Sequence, residues 1–236
     1  STTVGVAFDY RNGSIGNFIL SGAYLAHNRD INTAIFVFKK LCDIAGNVWP
    51  SSLNNDLILS ATLNDGKVVS PQDKITKLAE SDASTGIRNI DLRTSDGHAA
   101  GANPAVLEAI RDADLVVFGP GSFYTSILPH LQVDGITSAI SRSGCPVVFI
   151  SNILQCRESQ GLGLKEIAER FEQGWRKQTC KAAMPVLYFF GNRRFLAIDK
   201  YVNGFAYLSD EVGECGEYRV VLDEFEDVWE RGKHDG

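Results

Sequence analysis

From Pro104 to Leu222 the chain alternates short apolar runs with amphipathic stretches, and this rhythm narrows the choice of fold more than any other feature. DLVVF (114–118), PVVFIS (146–151) and PVLYFF (185–190) are apolar at consecutive positions, as strands buried on both faces are. Helical patterns lie between them. One opens at Asn103-Pro104 with Val106, Leu107 and Ile110 along one side, one runs around 135 to 142, and GLKEIAERFEQG (163–174) is the third. Asn as cap with Pro at the first helical position is a strong helix start. YRVVL (218–222), inside an otherwise acidic tail, reads as a further strand. Strand and helix in alternation predict an α/β fold on a mainly parallel sheet.

The first hundred residues differ. VGVAF (4–8) reads as a strand, and a helical pattern runs from about Ser14 to His27. A second helix follows Asp30, a good cap, with Ala34, Ile35, Phe38 and Leu41 in a core-facing stripe. In DLILSATLNDGKVVS (56–70) the residues Leu57, Leu59, Ala61 and Leu63 alternate, and Asp65-Gly66 supplies a hairpin turn before Val68-Val69. IRNIDL (87–92) is another strand candidate. There is no internal repeat and no linker-like segment, so residues 1–236 read as a single domain carrying a small β-hairpin insertion.

Charge and composition exclude several classes. A net charge of −6 argues against a nucleic-acid partner, because phosphate neutralisation needs a basic surface. No apolar run approaches the ~18 residues of a membrane span. Cys42, Cys145, Cys156, Cys180 and Cys215 contain no C-x-x-C pair, and scattered thiols in a chain of this size fit a reducing cytoplasm. His27, His98, His130 and His234 lack metal-ligand spacing, so no protein-borne metal site is expected.

The chemistry points to two loops. In open α/β sheets ligands collect at the carboxyl ends of strands, where backbone N–H groups face outward. GPGSFYTS (119–126) follows DLVVF, and SNILQCRES (151–159) follows VVFI. The first contains no Walker A run, and its G-x-G-x-x-G pattern fails at Tyr124. What it offers is exposed amides and neutral hydroxyls, groups able to hold phosphate or ribose without added positive charge. Read locally, GPGS is also a plain strand-to-helix turn. NGSIGN (12–17) is open to the same two readings, a capped turn or an anion nest. Neither a carboxylate pair nor a Ser-His-Asp context is visible, so no catalytic residue is assigned.

Taken together, NGSIGN (12–17), LILSATLNDGKVV (57–69), ANPAVLEAIRDADLVVFGPGSFYTSILPHL (102–131), SNILQCRES (151–159) and the closing HDG (234–236) resemble the CofD-like family. That family includes 2-phospho-L-lactate transferase and bacterial gluconeogenesis and morphogenesis factors. NGSIGNF is similar to a less characterised branch. The resemblance implies a Rossmann-like three-layer α/β/α fold and a site for a nucleotide or nucleotide-linked phosphorylated small molecule. Asn17, Gly119, Gly121, Ser122, Tyr124, Thr125, Ser126 and Asn152 are the ligand- and phosphate-binding residues it implies. Magnesium-assisted transfer of a phosphorus-containing group is the implied activity, with a non-catalytic nucleotide-sugar-binding regulator as the alternative. A homodimer is allowed. The family's N-terminal strand and glycine-rich loop have no counterpart here, and His130 stands where Asn is more common in the family. The implied site carries one further expectation, that Ser122→Ala with Thr125→Ala weakens ligand binding and barely alters thermal stability.

Overall fold

The computed structural model describes residues 14–179, 184–193, 201–212, 218–227 and 229–234. The strand expected at 4–8 lies outside them. The chain divides into two compact units, Ser1–Leu53 and Asn54–Gly236.

In the first unit, α1 (Ile15–Ala26) and α2 (Ile31–Leu41) pack together. Each begins with the expected cap. Ser14 Oγ accepts the Asn17 N–H at 3.1 Å, and Asp30 Oδ1 accepts the N–H groups of Asn32 and Thr33 at 2.9 and 3.3 Å. Such caps satisfy backbone donors that have no partner inside the helix. Ala34 of the α2 stripe is buried, whereas Leu41, at its last turn, is 69% exposed. The helical period outlasts the surface it was read to cover.

The second unit holds an antiparallel sheet and a parallel one. β1 (Leu57–Leu63) pairs with β2 (Val68–Val69) across the Asp65-Gly66 turn, and with β3 (Ile87–Thr94) on its other edge. Gly66 carries φ of 91°, a left-handed value that costs glycine little. Alternation in β1 puts Leu59, Ala61 and Leu63 into the core. The insertion is therefore three-stranded, because 87–94 joins the hairpin. Two short helices, α3 (Gln72–Thr76) and α4 (Glu80–Thr85), fill the connection from β2 to β3.

From residue 104 the expected alternation follows: α5 (Pro104–Arg111), β4 (Val116–Phe118), a π-helical turn (Phe123–Ile127), α6 (Leu128–Leu131), α7 (Ile136–Ser143), β5 (Val147–Ile150), α8 (Leu164–Thr179) and β6 (Leu187–Asn192). The Asn103 side chain accepts the Ala105 N–H, capping α5 with Pro104 just inside it. Gly144, at φ 71°, ends α7 by the left-handed residue that helix C-termini favour. A short hairpin, β7 (Tyr201–Val202) and β8 (Phe205–Ala206), precedes β9 (Tyr218–Asp223). The strands β4, β5, β6 and β9 form a wholly parallel sheet in that order.

In-register pairing aligns Phe118 with Phe149 and Phe149 with Phe189 on one face. Phe171 of α8 meets these three rings at centroid distances of 5.0, 5.1 and 5.8 Å, all edge-on. Edge-on pairs set the positive rim of one ring against the negative face of the next, contributing ~0.5–1.5 kcal/mol each beyond area burial. Trp175, one helical turn on, is also buried. The α/β core thus lies between α8 and one face of the sheet. On the opposite face Val148 and Tyr188 are half-buried, and Val117 is exposed.

Candidate functional site

Pairing of β4 with β5 sets Phe118 beside Phe149, so the loops that follow leave the sheet side by side at its carboxyl edge. Asn152 ties them together. Its Oδ1 accepts the Gly121 N–H at 3.0 Å, and its Nδ2 donates to the Gly121 carbonyl at 2.8 Å. A side-chain amide can mimic a backbone edge in this way because it carries both a donor and an acceptor. Gly121 and Asn152 were both expected to face a ligand. In the structure they satisfy one another and tie the two loops together.

Past Gly121 the chain enters the π-helical turn. Ser122 O accepts the N–H groups of both Ser126 and Ile127, at 2.8 and 3.2 Å. Widened turns of this kind re-aim side chains. Here Phe123, Tyr124, Thr125 and Ile127 are buried, Ser126 is exposed and Ser122 is half-buried. The loop residues that the resemblance implied as ligand-binding therefore divide. Gly119 and Ser122 lie half-buried along the edge and Ser126 lies on the surface, whereas Tyr124 and Thr125 anchor the turn from within.

Tyr124 Oη donates to the Ile87 carbonyl at 3.1 Å and accepts from the Arg170 guanidinium. Burial pushes the phenol up to about 12, against the nearby Arg170 charge that favours ionisation. Thr125 Oγ1 donates to Glu158 Oε1 at 2.7 Å. Glu158 is 4% exposed, and its second oxygen has no hydrogen-bond partner. Burial raises its carboxyl above the ordinary range, while the Thr125 hydroxyl and the N–H groups of Thr125 and Tyr124 pull it down. Desolvation outweighs those bonds because a charge loses more than a few donors restore. Thr125→Ala would strand this carboxylate, so the expectation that removing Ser122 and Thr125 hydroxyls leaves stability untouched does not fit the geometry.

Glu158 and Arg170 were missed from sequence. Glu158 had no visible partner there, since its partner lies 33 positions away. Arg170 sits mid-helix in a run of charges that reads as a solvated face. The β7–β8 hairpin was also missed, although Asn203-Gly204, with φ values of 52° and 83°, carries the strongest short hairpin signal. That hairpin lies against the second loop: Gln155 N–H bonds to Ala206 O at 2.8 Å and Leu208 N–H to Ile153 O at 3.0 Å. Between the two opens a cavity of about 540 Å³, bordered by Gln155, Cys156, Gln160, Gly161, Tyr201 and Phe205. Asn17 lies in the first turn of α1 in the N-terminal unit, its N–H accepted by Ser14 Oγ. Among the described residues no group of three or more His, Cys, Asp or Glu could hold a metal ion. The carboxylate at the loop, Glu158, has a solvent-shielded oxygen and is not placed to hold a magnesium ion. No helix of the described residues is long and apolar enough to cross a membrane.

A parallel sheet flanked by helices, with its carboxyl-edge loops tied together, defines an α/β protein. The family model for 2-phospho-L-lactate transferase CofD matches residues 7–202, and the chain belongs to the CofD family. It is 36% identical over 141 residues to a gluconeogenesis factor of Halalkalibacterium halodurans, covering 60% of this chain and 41% of that one. It is 32% identical over 146 residues to the gluconeogenesis factor of Bacillus subtilis, covering 62% and 43%. A crystal structure of a UPF0052 family protein from Bacillus halodurans superposes with a TM-score of 0.72 at 27% identity, covering 90% of this chain and 66% of that one. The chain thus spans less than half the length of these two curated relatives.

Proposed function

We propose that this chain binds a nucleotide-linked phosphorylated ligand at the carboxyl edge of β4 and β5, as a transferase-type member of the CofD family. The observation that carries the reading is the Asn152–Gly121 pair, which holds two strand-end loops as one rigid frame. Preorganisation of this kind lowers the ordering cost of binding. On that frame Gly119 supplies an amide and Ser122 and Ser126 supply hydroxyls to phosphate, with Tyr124 and Thr125 fixing the turn from behind. The neighbouring 540 Å³ cavity falls within the ~300–1,000 Å³ of small-molecule sites and accommodates the remainder of the ligand. Transfer of a phosphorus-containing group depends chiefly on positioning and charge stabilisation. Magnesium would arrive on the ligand's phosphates, as it usually retains phosphate and water ligands.

A second reading is a non-catalytic nucleotide-sugar-binding regulator in the cytoplasm. It is favoured by the names of the relatives, which are gluconeogenesis factors. Calorimetric titration with GDP and with UDP-sugars, with and without magnesium, separates the two. Guanine-selective, magnesium-dependent binding supports the transferase. UDP-sugar binding without turnover supports the regulator. Absence of both, in this chain and in a longer version of it, overturns the site.

A further inference from the structure

Tyr124 also borders a second cavity, of about 160 Å³, that shares no lining residue with the larger one. Its walls come from the start of β3, from α6 and from the later turns of α8. Arg88, Arg170 and Lys177 are among its lining residues, with Asn89 and Gln173 as neutral donors, and no Asp or Glu is among them. In a chain of net charge −6 this is a local reversal of sign. We propose that the cavity binds a compact phosphate-type oxyanion, either free phosphate or a small phosphomonoester.

Size supports that class. The volume is well above the roughly 30 Å³ of one water molecule and below the ~300–1,000 Å³ of cofactor-sized pockets. Orientation supports it too. Arg170 donates to the Ile87 carbonyl and to Tyr124 Oη, and its guanidinium carbon lies 5.8 Å from the centre of the Tyr124 ring. A guanidinium held this way has other N–H donors in a fixed fork, which suits oxyanion geometry and loses little freedom on binding. Arg88 and Lys177, both exposed, add charge from β3 and from the end of α8. The bound anion would act on Arg170, and through it on the tyrosine that anchors the π-helical turn.

The test is calorimetry and thermal unfolding of the chain in inorganic phosphate and in glycerol phosphate, against chloride at matched ionic strength. Saturable binding and a raised Tm in phosphate, absent in chloride, are expected. Arg88→Gln combined with Lys177→Gln should weaken binding by about tenfold or more, since charge-assisted bonds to phosphate are strong. Arg142→Gln, which removes an exposed charge outside the cavity, should leave it unchanged. Tighter binding of glycerol phosphate identifies an ester as the occupant, and tighter binding of inorganic phosphate identifies the free ion. Arg88→Gln alone removes one exposed charge and serves if the double variant folds poorly. No saturable phosphate effect, or an effect retained in the Arg88→Gln and Lys177→Gln variants, overturns the proposal.

Discussion

Asn152 closes a two-bond ring on the backbone of Gly121, 31 residues earlier, and so couples the loop after β5 to the loop after β4. Asn152→Ala removes both bonds and leaves a half-buried N–H and carbonyl to find water. We expect a loss of about 1–3 kcal/mol, read as a lower urea midpoint with an unchanged slope. Ligand affinity should fall with it, because the frame and not a direct contact is lost.

Ser122 and Thr125 separate ligand binding from stability. Ser122 lies at the edge, whereas Thr125 is 6% exposed and bonded to Glu158. Ser122→Ala should change stability by less than about 0.5 kcal/mol, as surface substitutions do, and weaken ligand binding in the titration above. Thr125→Ala should cost about 1–3 kcal/mol, since it leaves a buried acceptor unpaired. Equal Tm losses in the two variants would contradict this division.

Glu158 gives the fold a pH dependence of definite sign. Its carboxyl is raised by burial, so the folded state holds a proton that the unfolded state releases first. This contribution is fully present below the ordinary carboxyl range and is lost as pH rises through the raised value. Urea unfolding at a series of pH values should show stability falling across that window. Glu158→Gln should flatten the fall while keeping an oxygen for Thr125.

Tyr124 should ionise well above the ordinary tyrosine range. With its phenol pushed up to about 12, ultraviolet titration should show a late step that Tyr124→Phe abolishes. The same substitution removes the bond to Ile87 O and a partner of Arg170, which we expect to cost about 1–2 kcal/mol. Loss of a step at the ordinary tyrosine value in Tyr124→Phe, with any late step retained, would place the phenol in solvent.

Much of the fold is legible locally. Consecutive apolar residues in DLVVF, PVVFIS and PVLYFF specify buried strands, Asn103-Pro104 specifies a helix start, and Asp65-Gly66 specifies a turn, because each depends on neighbours within a few positions. The same is true of the caps at Ser14 and Asp30. The limits show where distance enters. Leu41 keeps the helical period and is exposed, since period alone does not say where the covering surface stops. The parallel sheet also takes β9 from the acidic tail directly beside β6, an adjacency that no local pattern encodes.

The sequence by itself determined which loops stand at the strand ends and which residue types they carry. Only the tertiary structure decided which of those groups face outward. Thr125 and Ser126 are adjacent and both are hydroxyl-bearing, yet one is buried against Glu158 and the other exposed. The physical reason is that a hydroxyl's role is set by its partner, and the partners of this turn, Asn152, Glu158, Ile87 and Arg170, come from 31 to 46 positions away. Those distances are closed by sheet pairing and core packing, which no short stretch of chain contains.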